Sequence, residues 1–118
     1  MWGGTGLDSH CFSDGRRAEK LATMVAAAHP GLNFRASAAE VRGPNLIINA
    51  TPCGLKPHTD PLPIDIAELT PNMMVADIVM KPERTQLLAA AERAGCAVRF
   101  AAGMLDSQMN LMARFFGY

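Results

Sequence analysis

Neither sign of charge is in excess along this chain: 11 Lys and Arg residues balance 11 Asp and Glu. With no net field to draw it to a polyanion, neither nucleic acid nor an anionic membrane surface is an expected partner. Cysteine is scarce and scattered. Cys11, Cys53 and Cys96 are odd in number, far apart and without CxxC spacing, which argues against a disulfide framework and against a zinc site. Reduced thiols and a cytoplasmic chain are the expectation. His10, His29 and His58 stand at no ligand-like spacing, so no metal is expected. No apolar run approaches the length of a membrane span, and the opening MWGGTGLDSHCFSDGRR has neither the basic nor the apolar region of an export signal.

A hydrophobic fraction of 49% in 118 residues suits one folded domain. Residues 1–13 are glycine-rich at their start and carry no apolar period, so they read as a loose lead-in to a domain spanning 14–118. Ala18, Leu21, Ala22, Val25 and Ala28 recur at helical spacing and predict a helix over roughly Arg16 to Ala28, capped by Asp14. Leu32 to Ala36 reads as a short strand, and Ser37-Ala38-Ala39-Glu40 has capping-box spacing that predicts a brief helix. Asn45 to Ala50 and Met73 to Val79 are short apolar runs of the kind buried on both faces of a parallel sheet. The proline-rich stretch Thr51 to Pro63 between them must be loop. Pro82 is expected near the start of a helix whose apolar face is Leu87, Leu88, Ala91 and Ala94, with Gly95 as its left-handed stop. Cys96 to Phe100 is a third strand candidate. Met104, Leu105, Gln108, Leu111, Met112 and Phe115 mark one face of a closing helix.

Strand and helix therefore alternate, which predicts a parallel sheet with helices packed on it, because parallel neighbours need crossover connections. Ligands of such sheets bind just beyond the strand ends. The segments to examine are Asn49-Ala50-Thr51-Pro52-Cys53-Gly54-Leu55, Asp77-Ile78-Val79-Met80-Lys81-Pro82 and Ala101-Ala102-Gly103-Met104-Leu105-Asp106-Ser107-Gln108.

In order and spacing these segments resemble the N-A-T-P-x-G, D-hydrophobic-x-P-x-x-T-x-L-L and G-M-L-x-x-Q motifs of the shikimate/quinate dehydrogenase family. Arg16-Arg17-Ala18-Glu19-Lys20-Leu21-Ala22 is similar to its R-A-E-x-L-A helix, so the likeness runs from about Asp14 to Gly117. Met80-Lys81-Pro82, where many members carry Tyr-x-Pro, is closer to the shikimate-dehydrogenase-like branch than to the enzyme of aromatic amino acid biosynthesis. The resemblance implies a partial Rossmann-like, three-layer α/β/α parallel sheet, lacking the first strand and its glycine-rich turn. It implies an oxidoreductase that moves a hydride between NADP or NAD and the ring alcohol of shikimate or quinate.

Carried over, the motifs place Asn49, Ala50 and Thr51 beside the cofactor's ribose and pyrophosphate, and Ile78 and Met104 near the nicotinamide. Ala101 stands where the family has glycine beside that ring. Met80 and Gln108 fall at substrate-contacting positions. No catalytic residue carries over, because the family's Lys and Asp lie in a separate N-terminal domain. Phe12 and Ser13 replace the Asn-Arg pair or Asp that selects between NADP and NAD. The expectation is a truncated, inactive chain whose Asn45–Asn49 strand shows an unpaired edge. That edge predicts a homo-oligomer or a partner chain, and the alternative reading is a non-catalytic module that pairs through it.

Overall fold

The structure, a computed structural model, describes residues 2–5, 8–11, 15–36 and 45–118. Strands β1 (Trp2–Thr5) and β2 (Asp8–Cys11) come first, then helix α1 (Gly15–Ala28), β3 (Asn33–Ala36) and β4 (Leu46–Asn49). They are followed by β5 (Met74–Asp77), α2 (Gln86–Arg93), β6 (Ala97–Arg99) and α3 (Ala101–Phe115). The strands form one sheet in the order β3-β2-β1-β4-β5-β6. The Asp14 cap, the Ser37 to Glu40 helix and the Phe12-Ser13 position lie outside the described residues.

The parallel α/β pattern read from the sequence is present. β4, β5 and β6 pair in parallel, with Leu46 opposite Met74 and Val75 opposite Val98, and β2 pairs in parallel with β3. The start of the chain departs from expectation. Residues 2–5 are a strand rather than loose, and they lie between β2 and β4, antiparallel to both. Only residues 6–7 separate β1 from β2, far too few for the crossover that a parallel pair needs, so β1 must run backwards. The β4 edge is consequently paired, with Gly3 opposite Ile47 and Trp2 opposite Ile48. The unpaired edge expected there does not exist in this fold.

α1 forms where its apolar period lies and packs on β3 and β2, burying Ala18. The main core lies on the other half of the sheet. Ile47 and Val75 sit on one face and pack with Leu87, Leu88, Ala90 and Ala91 of α2, closed by Ile64, Leu69, Met73 and Cys96. α2 begins beyond Pro82, because the Thr85 hydroxyl accepts the Leu88 N–H and so caps the helix there. It ends at Gly95, whose φ of +83° suits a residue without a side chain.

α3 departs further. Only Ala101 is buried along it, and the stripe read as core-facing stands in solvent, Phe115 being 85% exposed.

Leu88→Ala is expected to lower unfolding free energy by about 3 kcal/mol, the usual cost of emptying a buried leucine site. An unchanged urea midpoint would contradict the packing described.

Candidate functional site

The period of two in a strand dictates what lies at the ends of β4 and β5. Ile47 and Asn49 share the buried face of β4, Val75 and Asp77 that of β5, and the parallel register puts Asn49 directly beside Asp77. Two polar side chains are thereby driven into the top of an apolar core. Burial obliges them to find partners.

Asn49 is fully buried and uses both ends of its amide. Its Oδ1 accepts from the Thr51 N–H at 3.1 Å and the Thr51 hydroxyl at 2.7 Å. Its Nδ2 donates to the Cys53 carbonyl at 3.0 Å and to Asp77 Oδ1 at 3.2 Å. Asp77 Oδ1 also accepts the Val79 N–H at 3.0 Å, and its Oδ2 accepts the Thr85 hydroxyl at 2.7 Å. The Thr51 hydroxyl in turn accepts the Cys53 N–H at 3.2 Å. This network curls each chain sharply as it leaves its strand.

The loop after β4 has further ties. Asp60 Oδ2 accepts the N–H groups of Gly54 and Lys56 at 3.1 and 2.9 Å, and Gln86 Nε2 donates to the Pro57 carbonyl. Gly54 has φ +106°, a backbone conformation that favours glycine, although a Cβ there would stand in ordinary contact, 3.4 Å from the Thr85 methyl.

Between the two curled segments opens a cleft of about 540 Å³, inside the range of small-molecule sites. Ala50, Thr51, Pro52 and Leu55 form one wall, and Ile78, Val79, Met80 and Lys81 the other. Its surface is mainly apolar, and among the described residues Lys81 is the one ionisable group lining it.

Of the residues singled out in the sequence, Ala50, Thr51, Ile78 and Met80 meet at this cleft. Asn49 lies beneath it, all its hydrogen-bonding capacity engaged. Ala101 is buried at the start of α3, whereas Met104 and Gln108 are exposed farther along that helix and do not line the cleft. Pro52, Leu55, Val79 and Lys81 lay within the segments marked in the sequence but were given no role there, and what sequence reasoning missed is the hydrogen bond that joins Asp77 to Thr85 across D-I-V-M-K-P-E-R-T. Cys96 is no nucleophile: burial pushes its thiol up, and the thiol donates to the Thr70 carbonyl at 3.1 Å. Cys53 and Cys96 are both free of disulfides. Among the described residues, no helix is long and apolar enough to cross a membrane.

No family model matches this chain. The shikimate dehydrogenase (NADP(+)) of Methylobacterium radiotolerans is 38% identical over 92 residues, which cover 78% of this chain and 32% of the relative. The 5-ketofructose reductase of Gluconobacter sp. strain CHM43 superposes with a TM-score of 0.68 at 30% identity, over 78% of this chain and 35% of that one. This chain is homologous to the C-terminal region of the shikimate/quinate dehydrogenases. The shikimate 5-dehydrogenase of Thermus thermophilus, solved with NADP(H) and shikimate, gives a TM-score of 0.68 at 26% identity over 87% of this chain and 37% of that one. The Rossmann-like α/β fold is therefore shared, and the chain spans about a third of the length of the curated relatives it matches.

Gly54→Ala is expected to cost about 1–2 kcal/mol through its left-handed φ alone. Equal urea midpoints for the variant and the parent would show that the loop does not hold this conformation in solution.

Proposed function

We propose that this chain supplies the nicotinamide side of an NAD(P) site in a shikimate/quinate dehydrogenase-like oxidoreductase. One observation carries the reading: Ala50, Thr51 and Pro52 from one segment and Ile78 to Lys81 from the other, both segments resembling the family's motifs, together wall a single cleft beyond two adjacent parallel strands. Its apolar surfaces suit a flat ring, with Thr51 and Lys81 as the polar residues along its walls. The fit does not extend to the diphosphate. A Rossmann fold cradles that group at a helix opening directly after the first strand, whereas β1 here leads into β2 with no helix between them. Binding by the chain alone should accordingly be weak and confined to the nicotinamide half.

When bound, the cofactor would supply or accept the hydride. Proton transfer at the alcohol oxygen needs an acid/base group, and among the described residues of the cleft only Lys81 is ionisable. We propose that turnover requires the Lys and Asp of the family's substrate domain, and that the whole described sheet, β1 and β2 included, belongs to the unit that pairs with such a domain. Candidate substrates are the cyclic polyols shikimate and quinate, and the name of the Gluconobacter neighbour adds a keto sugar. Free thiols at Cys53 and Cys96 support a cytoplasmic location.

Titration with NADP and with NAD should shift the amide resonances of Thr51, Ile78 and Met80, without turnover of shikimate, quinate or 5-ketofructose by the purified chain. Absence of any response at these amides would refute the cofactor reading, and measurable turnover would refute the need for a second domain.

A non-catalytic assembly role is the second reading, and it now rests on α3 instead of a sheet edge. Met104, Leu105, Met109, Leu111, Met112 and Phe115 are all exposed on that helix. Self-association through α3 should disappear in a Leu111→Glu, Phe115→Glu variant; a parent chain that sediments as a monomer at micromolar concentration would exclude it.

A further inference from the structure

Asp77 is 2% exposed, yet it lies outside the lining of the cleft, and its carboxylate accepts from an amide side chain, a backbone N–H and a hydroxyl, all of them neutral donors. A carboxylate is an expensive group to bury on such terms. What it joins explains its place. Oδ1 holds Asn49, which organises the turn through Thr51 and Cys53, and the same oxygen holds the Val79 N–H in the opposite wall. Oδ2 holds Thr85, whose hydroxyl accepts the Leu88 N–H and so fixes the start of α2. One side chain thus ties both walls of the cleft to the helix behind them.

We propose that Asp77 is the positioning residue that sets the separation of the two walls, acting through Asn49 and Val79 without touching a ligand. Its effect on nucleotide binding rests on the cofactor reading given above; its effect on the walls does not. Asp77→Ala removes every acceptor and frees both turns. Asp77→Asn keeps an oxygen for Asn49 and Val79 and presents its amide to Thr85, whose hydroxyl has a second lone pair to receive it. The amide should therefore restore most of what alanine loses.

The deciding experiment is amide hydrogen exchange and two-dimensional NMR on the ligand-free chain, with Ile47→Val as a control that loosens the core without altering the network. In Asp77→Ala, exchange at Thr51, Cys53 and Val79 should accelerate at least roughly tenfold beyond the control, the scale of one charge-assisted hydrogen bond, and Asp77→Asn should recover most of it. Exchange at those amides matching the Ile47→Val control would overturn the proposal.

Should Asp77→Ala fail to fold, Thr85→Val serves instead, because it removes one partner of the carboxylate and leaves the other two. Shifts at Thr51 and Val79, neither of which is hydrogen-bonded to Thr85, are the expected result, and unmoved resonances there would overturn the proposal. Titration of parent and variants with NADP and nicotinamide mononucleotide completes the test. A silent parent chain refutes the cofactor reading alone, whereas binding that Asp77→Ala leaves undiminished refutes the positioning role.

Discussion

Two polar side chains, Asn49 and Asp77, lie side by side at the top of a hydrophobic core, and the geometry of the site follows from satisfying them. Strand periodicity leaves them no other place, since they share their faces with Ile47 and Val75. Once buried they must be hydrogen-bonded, and the nearest donors and acceptors belong to the backbone just beyond each strand. The turns that result open the cleft. Core packing, helix capping at Thr85 and the shape of the cleft are thus parts of one constraint.

Much of this was legible in the sequence where a local signal existed. The apolar runs marked β4 and β5, the helical period marked α1 and α2, and Gly95 marked a helix end. β1 carried no such signal, because Trp2-Gly3-Gly4-Thr5 has neither a period nor a buried run. Its conformation comes from the edge of β4, which offers a ladder of unpaired backbone groups to any extended neighbour. The start of α2 was misplaced for a similar reason: Pro82 is compatible with a first turn, but the hydroxyl that actually caps the helix is selected by a tertiary contact with Asp77.

The candidate site divides in the same way. Ala50, Thr51, Ile78 and Met80 were found because motif residues at parallel strand ends converge by topology alone. Asn49 belongs to the motif too, but its amide is consumed in shaping the turn. Met104 and Gln108 depend on where α3 lies, and that helix has little among the described residues to pack against. A helix with an apolar stripe reads as core-facing from sequence whether its partner belongs to the same chain or not.

Homology to the shikimate/quinate dehydrogenases covers about one third of those proteins and the part of their fold that faces nicotinamide in the reading advanced above. The most direct test of that reading is an intermolecular nuclear Overhauser measurement between the nicotinamide ring protons of NADP and the side-chain methyls of the chain. Contacts to Ile78 and Met80 are the result the account requires. Contacts elsewhere on the surface, or none at saturating nucleotide, would contradict it.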